Sequence, residues 1–186
     1  MRIFVRGIAV LFGALAFGVA AANATVVEQH HYADVESFPL DGCGFTLAGV
    51  AETSGHLLFC VDQTGQVLLA KDAYRFRTTL TNPDTGRSFL LRGQGLYHEI
   101  AATPLGGTLH EVSAVEAGVP FTIVDSTGRV VLRDRGAIRR TYVFDSHGDS
   151  KPGGELVDVL DVVVHGPHPS LDADVCALAA ELTGAS

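Results

Sequence analysis

Between Ala73 and Thr81 apolar and polar positions alternate residue by residue. Tyr74, Phe76, Thr78 and Leu80 fall on one side of an extended chain, and Arg75, Arg77, Thr79 and Thr81 on the other. The segment Asn82-Pro83-Asp84-Thr85-Gly86 follows, in which proline fixes φ and glycine can take φ > 0, so the pattern predicts a turn. A second strand then begins at Arg87, with Phe89 and Leu91 on one face and Arg92 and Gln94 on the other. Gly93 and Gly95 share the Phe89 face, where small residues point to a bend or to the close approach of another element. A second hairpin is predicted from Phe121 to Leu132 around Asp125-Ser126-Thr127-Gly128, and a further strand from Ile138 to Phe144. The run Leu156 to His165 is too rich in β-branched residues for a comfortable helix and reads as a strand. With segments 45–52, 56–61, 66–70 and 107–113 added, the chain holds about eight to ten strands, the spacing of an all-β antiparallel barrel or sandwich.

Only the C-terminus has a helical period. Leu171, Val175, Leu178 and Leu182 make one apolar stripe, with Ser170 as the expected N-cap, Asp172 and Asp174 in the first turn, and Gly184 past the end. A helix over 171–183 is expected to close one end of a single domain spanning 42–186. Residues 25–41 keep no lasting period and are expected to form an N-terminal arm or a first strand.

The first 24 residues change the picture. Arg2 and Arg6 precede an apolar stretch from Gly7 to Ala22, which ends in Ala22-Asn23-Ala24; this is the three-part pattern of a cleavable secretory signal. The stretch is short for a membrane span and contains Gly13 and Gly18, so no membrane insertion is expected after cleavage before Thr25, and the mature protein is expected to be secreted. Cleavage removes 24 of 186 residues and leaves 162, one domain's length. Losing Arg2 and Arg6 from 13 basic residues leaves 11 against 21 acidic ones, a balance that repels phosphate backbones. No nucleic-acid partner is expected.

An oxidising compartment gives the three cysteines meaning. Cys43 lies between Gly42 and Gly44, a flexible context that can meet the bond's narrow geometry, and Cys176 projects from a terminal helix that needs fastening. Cys60 sits in Leu57-Leu58-Phe59-Cys60-Val61, where apolar neighbours disfavour a reactive thiolate. The expected disulfide is therefore Cys43–Cys176, with Cys60 free.

Candidate chemistry is sparse. His30, His31, His165 and His168 are the residue type that binds zinc or copper, yet adjacent histidines on an extended chain point in opposite directions, and no metal or cofactor is expected. His98-Glu99 and His110-Glu111 each begin like a helical zinc-protease motif, but Ala102 and Ala114 stand where the second histidine belongs. Ser54-Gly55-His56 reads as a turn rather than a nucleophile elbow. Asp145, Asp149 and Glu155 carry oxygen ligands for calcium without the spacing of an EF-hand loop, so a solvated acidic turn is expected there. Arg75, Arg77 and Arg92 line up on one face of one hairpin. They could grip a carboxylate or phosphate, or salt a solvated face against edge pairing. The chain has no Trp and only Tyr32, Tyr74, Tyr97 and Tyr142 beside its phenylalanines, which argues against an aromatic sugar platform.

Cys43-Gly44-Phe45, the Thr81 to Gly86 turn, and Gly166-Pro167-His168 followed by the cysteine-bearing segment Asp174 to Leu182 resemble a group of small exported actinobacterial proteins of unassigned function. The resemblance implies export and a β-architecture and carries no catalytic residue over. Cyclase and lipocalin-like barrels are a likeness of fold alone. The leading expectation is a secreted binding module with a small apolar ligand in a barrel. The alternatives are a barrel-type isomerase or cyclase using Tyr, His and Glu for proton transfer, and a structural or partner-binding envelope protein.

Overall fold

A computed structural model describes residues 25–61, 68–148 and 154–185; the expected signal segment, residues 1–24, lies outside them. Eight strands form one antiparallel sheet: β1 (Thr25–Asp41), β2 (Thr46–Val61), β3 (Leu68–Thr81), β4 (Ser88–Gly106), β5 (Leu109–Val124), β6 (Val130–Arg133), β7 (Gly136–Asp145) and β8 (Glu155–His165). The order is β1-β2-β3-β4-β5-β7-β8, with β6 pairing beside β7 on β5. Strand β5 serves both partners, taking β7 along Leu109 to Gly118 and β6 along Thr122 to Val124. The all-β architecture with its single short C-terminal helix is as the strand spacing predicts. Hydrogen bonding does not close the sheet, whose edges are β1 and β8.

The strand count matches the expectation, but several strands are longer than the turn residues imply. Ser54-Gly55-His56 is not a turn but the middle of β2, and the region 25–41 is a full strand paired along β2. The reason lies on one face of the sheet. Tyr32 stands opposite Gly55, Phe38 opposite Gly49, Tyr74 opposite Gly95 and Phe76 opposite Gly93. In each pair the ring lies over the glycine: a Cβ on Gly55 would be 2.4 Å from the Tyr32 hydroxyl, and one on Gly49 would be 2.7 Å from the Phe38 ring. The glycines are therefore seats for aromatic rings, an arrangement that lets a strand continue through residues normally read as breaks.

The same face carries the core. Leu80 and Phe89, opposite each other across β3 and β4, pack with Leu47, Ile123 and Ala179, and Leu178 and Leu182 of helix α1 (Val175–Thr183) close over them. Phe89 and Leu91 thus share the face of Tyr74, Phe76 and Leu80, as the alternation predicts. Helix α1 begins later than its apolar stripe suggests. Asp174, not Ser170, is its N-cap, with its carboxylate accepting from the Ala177 N–H at 2.9 Å. The Ser170 hydroxyl is engaged elsewhere, donating to Asp134, and Pro169–Leu171 form a single 3₁₀ turn that leaves Leu171 exposed. Gly184 ends the helix at φ 64°, the left-handed cap. Cys43 and Cys176 are bonded, S–S 2.01 Å, and tie the connection between β1 and β2 to α1, while Cys60 is free. A link between residues 133 apart in sequence stabilises by restricting the unfolded chain, roughly 4 to 5 kcal/mol on loop-closure arguments.

Candidate functional site

Alternation sends Arg75 and Arg77 to the face opposite the rings, and pairing then builds a row across the sheet. Glu52 of β2 is opposite Arg77 of β3, Arg77 opposite Arg92 of β4, Arg92 opposite Thr122 of β5, and Thr122 opposite Arg133 of β6. One pleat away lies a second row of Ser54, Arg75, Gln94 and Val119. The two rows line a cleft of about 530 Å³. The irregularity that brings Thr122 opposite Arg92 is local to β5, where Pro120 and Phe121 are inserted across from Gly93 between the Arg92 and Gln94 pairings.

Four guanidinium groups, Arg75, Arg77, Arg92 and Arg133, line this cleft with one carboxylate, Glu52. Among the described residues none of the four is ion-paired; the arginines that are, Arg129 and Arg140, lie elsewhere. Arg75 donates from Nε to Ser54 Oγ at 2.8 Å, and Arg133 Nε is buried without a hydrogen-bond partner. The positive charge is concentrated in a chain whose formal net charge is −8. Cations on a sheet often guard an edge against pairing. That account does not fit here, because β3 and β4 are central strands. Like charges placed directly opposite cost stability, so the Arg77–Arg92 pair is a local conflict of the kind that collects at binding sites.

The face with the rings holds a different polar system. Tyr142 donates to Glu99 at 2.5 Å, Tyr97 meets Tyr142 at 2.8 Å, and Glu99 also accepts from the Ala70 N–H at 2.6 Å. Tyr74 donates to Glu116 at 2.5 Å, and Arg140 holds the other Glu116 oxygen at 2.8 Å. Tyr32 donates to Asp72 at 2.9 Å. Burial and the neighbouring carboxylates favour the neutral phenols, pushing Tyr32 and Tyr97 up to about 12 and raising Tyr74 and Tyr142 further. The Tyr97, Tyr142 and Glu99 groups bond one another beside the second apolar cluster of Val112, Ala114 and Tyr142, whereas Asp72 keeps its other oxygen buried without a partner.

The histidines are dispersed. His30 pairs with Glu28 at 2.5 Å, and His31 stacks on His56, opposite it on β2, with ring centroids 4.1 Å apart. His165 ends β8, whereas His168 is buried 3.8 Å from Asp134, away from the cleft. No group of three or more metal-ligating side chains converges among the described residues. Of the acidic turn, Asp149 lies outside the described residues; Asp145 is held below the usual carboxylate range by hydrogen bonds from Thr108 and the His147 N–H. His98-Glu99 and His110-Glu111 lie on strands β4 and β5, and Glu99 proves to be a tyrosine partner. Comparison of the chain with known protein families, with curated proteins and with solved structures finds no match.

Proposed function

We propose that the protein is a secreted binding module that holds a small anion in the arginine cleft. The observation that carries the reading is the convergence of Arg75, Arg77, Arg92 and Arg133 on one cleft, with Arg77 opposite Arg92 and only Glu52 to offset them. An anion entering there gains charge-assisted hydrogen bonds and relieves the repulsion between the guanidiniums. The binding role expected from the sequence is kept and the ligand changes: the lining is cationic and polar where an apolar guest was expected. Export with cleavage before Thr25, as the resemblance to small exported actinobacterial proteins implies, accords with the Cys43–Cys176 bond, and no helix among the described residues is long and apolar enough to cross a membrane.

Titration calorimetry with inorganic phosphate tests the reading. One saturable site is expected, weakening as salt rises and weakening at least about tenfold in Arg92→Gln. Phosphate binding that is absent, or equal in the wild type and Arg92→Gln, would overturn it.

A further inference from the structure

The backbone spacing of the four arginines says more than their sign. Arg77 and Arg92 are neighbours across one strand spacing, about 5 Å, and Arg75 lies two residues along β3 from Arg77, about 7 Å. These three surround a space suited to one compact oxyanion. Arg133 is different. It lies two strand spacings beyond Arg92, about 10 Å, with Thr122 between them on β5. Its Nε is a buried donor without a hydrogen-bond partner. A single phosphate or carboxylate held by the first three arginines leaves Arg133 unsatisfied, and one held by Arg133 leaves the opposed Arg77–Arg92 pair unrelieved.

Resting on the anion-binding reading, we propose that the ligand carries at least two oxyanion groups on one chain, one seated among Arg75, Arg77 and Arg92 and another at Arg133. The buried Thr122 lies in the lining between Arg92 and Arg133, where its uncharged hydroxyl can meet the segment that joins the two. Glu52, at the opposite end of the row from Arg133, puts the only lining carboxylate among the described residues beyond Arg77, so the anionic chain runs from Arg77 toward β6 rather than toward β2. The shared chemistry is an oligo-oxyanion, phosphoryl or carboxylate in source.

The experiment compares inorganic phosphate with tripolyphosphate, and acetate with tricarballylate, by calorimetry on the wild type, Arg133→Gln and Arg133→Lys at one ionic strength. Tripolyphosphate is expected to bind at least about tenfold tighter than phosphate. Arg133→Gln is expected to cost tripolyphosphate at least about tenfold more affinity than it costs phosphate, and Arg133→Lys, which keeps the charge, to retain part of the margin. A like margin for tricarballylate over acetate identifies carboxylates as an accepted source; a margin confined to tripolyphosphate identifies a phosphoryl ligand. Equal affinity for single and multiple anions of both kinds would overturn the inference while leaving single-anion binding in place. So would an Arg133→Gln effect of the same size on phosphate and tripolyphosphate. If no anion binds, the reading beneath the inference fails and the inference falls with it.

Discussion

Arg77 and Arg92 stand directly opposite each other on β3 and β4, and the strands outside them put a carboxylate beyond the first and a hydroxyl beyond the second. Neither guanidinium is ion-paired among the described residues. A pair of this kind costs stability in the empty protein, so removing one charge should help the fold as it harms binding. Arg92→Gln is expected to raise unfolding free energy at low salt by roughly 0.2 to 1 kcal/mol, with the gain fading at high salt. Urea denaturation at two ionic strengths measures this. A loss of more than about 1 kcal/mol would mean that Arg92 supports the fold rather than a ligand.

The aromatic seats make a second prediction, in which two chemically identical substitutions differ. A Cβ at Gly93 would meet the Pro120 carbonyl oxygen at 2.2 Å as well as the Phe76 ring, and backbone cannot step aside. At Gly49 the obstacle is the Phe38 ring alone, on edge strand β1, where it can swing outward. Gly93→Ala should cost about 1 to 3 kcal/mol and Gly49→Ala less than about 1. Thermal unfolding of the two variants decides it; equal losses would contradict the assignment.

Alkaline titration tests the tyrosine system. The protein has four tyrosines, and all four are raised from their ordinary value near 10. Because the folded values lie above the unfolded ones, their contribution to stability is whole below pH 10 and is lost as pH rises through about 12. Absorbance at the tyrosinate band should stay flat through pH 10 and rise together with loss of the β circular-dichroism signal. One phenol ionising near pH 10 in folded protein would show that its hydrogen bond is not made in solution.

How much of this was legible beforehand follows from the range of each interaction. The Tyr74 to Leu91 hairpin was readable because alternation and the Asn82 to Gly86 turn are local signals, and they place Arg75, Arg77 and Arg92 on one face. Arg133 was not readable as a partner, since β6 is a four-residue strand whose register depends on the insertion at Pro120 and Phe121. Ser54-Gly55-His56 reads as a turn because a glycine covered by a ring from another strand has the same letters as a glycine in a turn. Leu171 matches the period of the helix without belonging to it, because the Asp134 carboxylate that claims Ser170 lies 36 residues away in sequence. The Glu99 and Glu116 partners of the tyrosines likewise come from strands distant along the chain.

The most direct test of the arginine cleft is a phosphate titration followed through the arginine Nε–H resonances by nuclear magnetic resonance. The signals of Arg75, Arg77 and Arg92 should move together along one saturable curve, with those of Arg129, ion-paired to Asp125, and of the exposed Arg139 unchanged. Uniform small shifts across all the arginines, or saturation confined to arginines outside the cleft, would contradict the account.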